Sequence, residues 1–183
     1  MLGRNHVVTA CASWLLAEPY LLNQSPKPLE ALFLLLVVGL GAMLPDIDHP
    51  DSLLGRRVKF ISVPLSLLQG DRRVLPWSES THSRGITHSI WALGGCIWLL
   101  SGQSTVAIAL AFGFVAHLIG DALTPAGVRL LWPLTVTFRS PVTFRTGGFI
   151  EYLFSMILVT GAVMHWLGID VLQEVEGFFV AHI

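Results

Sequence analysis

Long apolar stretches separated by short polar ones dominate this chain. Each predicts an α-helix, and the amino-terminal stretch is expected to be retained rather than cleaved as a signal peptide. At about 1.5 Å of rise per residue, a helix of about 16 residues, the length of most of these stretches, spans only roughly 24 Å. Five stretches stand out, at residues 6–22, 29–45, 86–101, 104–120 and 149–169.

Two longer polar connections interrupt this pattern. The first, 46–85, contains the amphipathic stretch "LLGRRVKFISVPLSLLQG", which predicts a further helix lying along a surface. The second, 121–148, is rich in Pro, Gly and Thr, and its "TVTFRSPVTFRT" segment predicts either a small hairpin or an irregular loop packed over the helices.

Composition identifies the solvent of these helices. The chain has 183 residues, of which 53% are hydrophobic and 13% charged, and its mean hydropathy is +0.67. These values favour an all-α polytopic membrane protein, a single domain over 1–183 with about five short transmembrane helices. A net charge of −1 offers no basic surface for nucleic acid. Cys11 and Cys96 lie in apolar runs, where a free thiol is expected.

The distribution of basic residues predicts an orientation. If all five segments span, ten of the eleven Lys and Arg residues fall on one side and Lys27 alone on the other. Cytoplasmic loops carry such an excess, so the N-terminus and both long connections are expected in the cytoplasm. Arg56, Arg57 and Lys59 of the surface helix then face the lipid headgroups.

Histidine and aspartate gather at the helix ends on that side. Five of the seven histidines lie there, within or beside "PDIDHP" (45–50), "HSRGITHS" (82–89) and "HLIGD" (117–121) or at the start of the first segment. Pro45 and Pro50 bracket a tight non-helical turn whose carboxylates and imidazole can converge on a cation, although a turn-forming Asp cluster is the alternative. Four-residue spacing places His117 and Asp121 on one helix face, as a ligand pair or as a helix-end hydrogen bond.

The combination favours a metal site. Ionisable side chains near lipid are costly unless they pair or bind a metal, and four helix ends bring them to one side. In "RGITHS", Thr87 or Ser89 is a candidate helix cap and His88 a candidate ligand.

Three motifs in this order resemble a known family. "LPDIDHPDSLLGRR", "RGITHS" and "HLIGDALTPAGVRLLWP" are similar to the YdjM-like family of LexA-regulated, inner-membrane, metal-dependent hydrolases, over the chain from His6 to about Glu151. Members of that family have His directly before Arg ("HRGxTHS"), whereas Ser83 stands there in this chain and His82 is displaced by one position. The resemblance implies a bacterial inner-membrane protein. By position it carries functional roles to His6, Asp46, Asp48, His49, Arg84, His88, His117, Asp121 and Glu151.

The donor types narrow the metal. Imidazole and carboxylate groups without a nearby thiolate suit Zn, Mn or Fe, and the number of candidate ligands exceeds the need of one tetrahedral ion. We therefore expect two divalent ions bridged by an Asp. The expected ligands are His6, Asp46, Asp48, His49, His88, His117 and Asp121.

The function predicted from these features is a membrane-embedded, metal-dependent hydrolase acting on a phosphate ester of a lipid at the cytoplasmic interface. Arg84 is expected to hold the phosphate, or else to contact anionic lipid. Glu151 is expected to be a general base or a further ligand, or else a first-turn residue favoured by the helix dipole. The alternative is a metal carrier or sensor without hydrolysis, but the third and fourth segments contain almost no polar groups besides Ser and Gly.

The basic asymmetry generates a topology prediction. Reporter fusions should place the N-terminus in the cytoplasm and a fusion after the fifth segment outside it, because ten of eleven basic residues lie on one side. Both fusions reporting the same side would mean that one segment does not span, the first being the prime candidate.

Overall fold

A computed structural model describes residues 3–68, 85–102 and 104–169. Within these ranges the chain is all-α, as predicted. Each of the five apolar segments contains one helix, and the amphipathic stretch supplies a sixth. The helices are α1 (Gly3–Leu21), α2 (Pro28–Met43), α3 (Lys59–Leu68), α4 (Ile90–Leu99), α5 (Ser104–Ala122) and α6 (Phe149–Trp166).

The first helix is the centre of the packing. Helix α1 contacts α2, α5 and α6, and α2 and α5 also pack extensively on each other. Trp14 of α1 is fully buried and meets Phe112 edge-on at a centroid distance of 5.3 Å. The main core is formed by Ala10, Trp14, Leu34, Val37, Val38, Ala42, Ala109 and Leu110.

Two glycines allow α2 and α5 to touch through their backbones. A Cβ atom added to Gly41 would lie 2.2 Å from the Leu110 carbonyl oxygen, and one added to Gly113 would lie 2.0 Å from the Val38 carbonyl oxygen. No side chain fits at those distances. Small residues are the usual means by which membrane helices approach closely, since lipid gives apolar helices no hydrophobic reason to associate.

Only some helices are long enough to cross a bilayer. Among the described residues, α5 and α6 have the length and hydropathy of a membrane span. Helix α2 has 16 residues and α4 has 10, which correspond to roughly 24 and 15 Å against a hydrocarbon core of roughly 30 Å. Helix lengths therefore do not support five full spans.

Two local predictions are resolved by hydrogen bonding. The "PDIDHP" segment was expected to be non-helical, but Pro45–Asp48 forms one turn of 3-10 helix. Its bonds run from Ile47 N–H to the Leu44 carbonyl and from His49 N–H to the Asp46 carbonyl, each 3.0 Å. Proline at the first helical position favours this turn because its φ is already helical.

The second connection is an irregular loop rather than a hairpin. Its described residues form no strand, but Val128 and Phe138 pair in a single antiparallel bridge. Val128 N–H donates to the Phe138 carbonyl at 2.9 Å and Phe138 N–H returns the bond at 2.8 Å. Buried Val128 packs this loop onto Phe114 and Leu118 of α5.

Replacing Gly113 with alanine should destabilise the protein. Alanine normally favours a helix by about 1 kcal/mol over glycine, but overpacking here should cost more, about 1–3 kcal/mol. We expect a lower thermal unfolding midpoint in detergent for Gly113→Ala. Gly94→Ala is the matched control, because nothing lies within 4 Å of a Cβ at that helical position. A Gly113→Ala protein that melts at or above the control would contradict the backbone contact.

Candidate metal centre

Five side chains from four helix ends meet in one cluster. They come from the first turn of α1, the 3-10 turn after α2, the turn before α4 and the last turns of α5. Four of them are at most 2% exposed, and the fifth, Asp46, has a side chain that is 28% exposed. The cluster is thus closed except on its Asp46 side. Its members are His6, Asp46, His88, His117 and Asp121.

The spacing of the ligand atoms fits a metal better than direct hydrogen bonds. The Nε2 atoms of His88 and His117 each lie 3.5 Å from Asp121 Oδ2, and His6 Nε2 lies 3.3 Å from Asp121 Oδ1. Charge-assisted N–H···O bonds are usually about 2.7–2.9 Å long. Ligand atoms about 2.1 Å from a tetrahedral ion lie about 3.4 Å from one another.

The cluster contains two overlapping groups of candidate ligands, which share His117. One group is His6, His117 and Asp121, and the other is Asp46, His88 and His117. The Asp46 Oδ1 atom lies 3.6 Å from His88 Nε2 and 3.8 Å from His117 Nε2. Since Asp121 turns Oδ2 toward His88 and His117 but Oδ1 toward His6, its carboxylate has the geometry of a bridge.

Backbone contacts orient His117 toward the cluster. Its Nδ1 atom lies 2.7 Å from the Ala42 carbonyl oxygen, one of the carbonyls at the α2 end that have no partner inside the helix. The Nδ1 position is therefore the protonated donor, and Nε2 is left as the metal-binding atom, the usual arrangement of a ligating histidine. His117 also stacks on His6 with ring centroids 3.8 Å apart.

Buried nitrogen atoms test whether the cluster suits a metal. The Nε2 atoms of His88 and His117 are inaccessible and find no hydrogen-bond partner among the described residues. Leaving a buried polar atom unpaired costs about 1–3 kcal/mol. Both atoms face carboxylate oxygens, so a cation between them would satisfy all of these groups at once.

The charge balance keeps Asp46 ionised. Burial by itself would raise the pKa of this carboxyl, but the neighbouring imidazoles of His88, His117 and His6 hold the pKa of Asp46 well below its usual range. An ionised carboxylate is the form that binds a cation.

Two predicted ligands lie outside both groups. Asp48 is buried, and its Oδ2 atom accepts a 2.6 Å hydrogen bond from the Thr87 hydroxyl, which also lies 3.3 Å from His88 Nδ1. The Nδ1 atom of His49 accepts the Asp51 N–H at 3.1 Å. Asp48 therefore joins the Pro45–Asp48 turn to a second 3-10 turn, Ile86–His88, through Thr87, beside the cluster.

The carboxylate of Glu151 is fully buried at the start of α6. Its Oε1 atom accepts a short hydrogen bond from Asn5 Nδ2, and its Oε2 atom accepts the Gly147 N–H at 3.0 Å. Asn5 precedes His6, so this pair fastens the start of α6 to the ligand end of α1. Arg84, the other predicted catalytic residue, lies outside the described residues, as do His82 and Ser83.

Sequence reasoning missed the role of Asn5 and assigned Thr87 only as a possible cap. The cap is in fact Ser89, whose hydroxyl accepts the Ala92 N–H. Nothing in the residues around Asn5 indicates a partner 146 positions away. The signal available for Thr87 was its position next to a candidate ligand, since polar residues beside ligands often orient them.

Comparison with known proteins gives a consistent family. The model for a family described as "YdjM inner membrane protein" matches residues 1–181. The inner membrane protein YdjM of Escherichia coli (strain K12) is 34% identical over 135 residues, which cover 68% of this chain and 62% of that protein. The Shigella flexneri protein of the same name gives the same figures.

A protein with a different name is also similar to this chain. The uncharacterized protein YvsG of Bacillus subtilis (strain 168) is 30% identical over 156 residues, which are 84% of this chain and 86% of that protein. The chain spans less than two thirds of the length of the YdjM relatives, 62%. No solved structure matches the chain significantly.

Removing a central ligand should remove metal. We expect purified His117→Ala and Asp121→Ala proteins to contain less zinc, manganese or iron than the wild type by elemental analysis, because both side chains belong to the convergent cluster. His165→Ala is the control, since this exposed histidine lies at the opposite end of α6. Equal metal content in all four proteins would show that the cluster does not hold the ion.

Proposed function

The chain belongs to the YdjM family of inner membrane proteins, and from this premise we propose that its buried cluster is the metal centre of a membrane-embedded hydrolase acting on a phosphate ester of a lipid. The observation that carries the proposal is the convergence of three imidazoles on the two oxygens of Asp121, within 3.3–3.5 Å.

The arrangement supports two overlapping metal positions. Asp46 Oδ1, His88 Nε2 and His117 Nε2 can serve one divalent ion, and a catalytic metal with three protein ligands keeps its fourth position open. The second position would have His6 Nε2 and Asp121 Oδ1, and would leave room for non-protein ligands. Imidazole and carboxylate donors suit Zn, Mn or Fe.

A divalent metal held there would supply Lewis-acid activation of water and of a phosphoryl oxygen. The chain itself supplies the positioning. His117 is fixed by the Ala42 carbonyl, and Asp46 borders the side of the cluster that is partly open among the described residues. A substrate phosphate and the attacking water are expected to enter from that side.

We assign general-base chemistry to Glu151 and phosphate binding to Arg84. Glu151 is held by Asn5 next to the ligand end of α1, and a carboxylate is one of the side chains that act as general bases. Arg84 precedes buried Gly85 and the 3-10 turn Ile86–His88, which carries the candidate ligand His88. Its planar guanidinium matches a phosphate with two parallel hydrogen bonds.

The cluster is proposed to face the cytoplasm in a multi-pass protein. Ten of the eleven basic residues fall on the side of the ligand-bearing helix ends if all five apolar segments cross. Short helices would place those ends close to the headgroup layer. A lipid could then bring its phosphate ester to the cluster while it remains in the membrane.

Metal binding without catalysis is the second candidate. The observation that favours it is the near-complete burial of His6, His88, His117 and Asp121, because structural metal sites are closed whereas catalytic sites keep an open position. Transport is disfavoured, since the α2–α5 interface next to the cluster is filled by apolar side chains.

Two substitutions should separate these functions. Arg84→Ala is expected to keep its metal but to lose about 100- to 1,000-fold in turnover of a phosphorylated lipid, the effect typical of losing one charge-stabilising donor. Glu151→Gln is expected to keep its metal and lose turnover if it is a base, whereas loss of metal would mark it as a ligand.

The controls carry the same chemical changes at exposed positions. Arg139→Ala and Glu30→Gln alter exposed side chains that belong to neither ligand group, and both proteins should behave as wild type. If metal-loaded wild type hydrolyses no phosphomonoester, phosphodiester or pyrophosphate lipid in a broad screen, the hydrolase proposal fails and metal binding alone remains.

A further inference from the structure

The short helix α3 has its polar and apolar faces reversed relative to a helix of a soluble protein. Ser62 and Ser66 point inward and are 0% exposed, whereas Phe60 is 77% and Leu68 is 82% exposed. Soluble helices bury the apolar face and expose the polar one. An apolar partner on the outer side explains the reversal.

The exposed face is a continuous apolar stripe. Phe60, Pro64, Leu67 and Leu68 are exposed and recur at the four- and three-residue intervals that align side chains along one side of a helix. Basic residues stand immediately before this stripe. Arg56, Arg57 and Lys59 are exposed, and the segment 52–68 contains no acidic residue.

This combination matches an anionic lipid surface. Apolar side chains of an interfacial helix enter the boundary between headgroups and acyl chains, while Lys and Arg attract anionic headgroups by about 1 kcal/mol each. If the stripe instead packed against an apolar protein surface, that surface would offer no negative charge to pair with the basic residues. The positive charge complements phosphatidylglycerol or another anionic headgroup.

The inner face of α3 is hydrogen-bonded to the backbone of the Pro45–Asp48 turn, which is called the ligand turn below. The Ser66 hydroxyl donates a short hydrogen bond to the Asp48 carbonyl. The Ser62 hydroxyl donates to the Gly55 carbonyl at 2.9 Å, and Gly55 N–H donates to the Ser52 hydroxyl oxygen at 2.8 Å. The Ser52 hydroxyl in turn donates to the Asp46 carbonyl at 2.8 Å.

The chain between α3 and the ligand turn has little room to yield. A Cβ atom at Gly55 would lie 2.0 Å from the His49 carbonyl oxygen, so this backbone is in direct contact with the end of the turn. Movement of α3 away from the membrane surface would therefore pull on the backbone of both Asp46 and Asp48.

We propose that the outer face of α3, with Arg56, Arg57 and Lys59, binds an anionic lipid surface, and that this contact holds the Asp46–Asp48 turn in ligand geometry through Ser62 and Ser66. The lipid contact stands on α3 alone. The coupling rests on the proposed metal centre.

The lipid contact is tested by depth of insertion. The full chain, with Cys11 and Cys96 replaced by Ala and a fluorophore attached at Phe60→Cys, is placed in nanodiscs of phosphatidylcholine alone or mixed with phosphatidylglycerol. We expect quenching by brominated acyl chains in the anionic discs, and less of it when Arg56, Arg57 and Lys59 are all replaced by Gln. Quenching by aqueous iodide instead would overturn the proposal.

Other occupants of this face give different results. If the fluorophore is protected from aqueous iodide only when a disc holds more than one copy, the face binds a second copy of the chain. If this protection is equal in both lipid compositions and unaffected by removing the three charges, the face is covered by another part of the same chain. Either result would overturn the anionic lipid surface.

The coupling is tested by zinc affinity in phosphatidylglycerol-containing discs, measured by competition with a chromophoric chelator. Ser66→Ala is expected to weaken zinc binding about 10-fold, the lower end of the effect of losing an outer contact of a ligand. Ser101→Ala, an exposed serine between α4 and α5, should leave affinity unchanged. Both variants are measured in discs of the same lipid composition, so the attraction of anionic lipid for zinc affects both affinities equally.

A second variant protects the test against misfolding. The variant in which Arg56, Arg57 and Lys59 are replaced by Gln leaves the buried serines intact. It should bind zinc more weakly than the wild type, as Ser66→Ala should. Unchanged affinity in both variants would overturn the coupling. If the wild type binds no zinc, the metal centre and the coupling fail together, while the quenching experiment still decides the lipid contact. Absence of hydrolysis affects neither measurement.

Discussion

The close contact between the backbones of α2 and α5 is the constraint on which the site depends. Gly113 lies against Val38, and one helical turn further on, His117 meets the Ala42 carbonyl at 2.7 Å. The imidazole reaches that carbonyl because no side chain separates the two helices above it. A glycine pair in the apolar interior thus sets the tautomer and direction of a histidine in the cluster.

Polar groups are concentrated where the helices can best accommodate them. Helix ends already contain backbone groups without partners inside the helix, and they lie nearest to water. The chain places all five cluster residues at such ends and keeps the α2–α5 interface apolar. Burial of two carboxylates and three imidazoles would be costly for any of them alone, but together they offer opposite charges and matching donor atoms.

Much of the site was predictable from the sequence because it depends on helix periodicity. His117 and Asp121 had to share a face, and the apolar segments located the helix ends. The 3-10 turn was not predictable in the same way. With about three residues per turn, Asp46 and Asp48 point in directions about 120° apart, so one enters the cluster and the other bonds Thr87. The pairing of Asn5 with Glu151 depends on packing between α1 and α6, the described helices that lie farthest apart in the sequence. A single sequence holds no local signal for that contact.

The order of the ligands along the chain has a consequence for biosynthesis. Chains are made from the N-terminus, and His6 is synthesised long before His88, His117 and Asp121. The cluster therefore cannot form until the ribosome has passed residue 121, and α6 is attached to α1 through Glu151 only after that. In a chain arrested earlier, the imidazole of His6 lacks the Asp121 carboxylate that it faces in the finished protein.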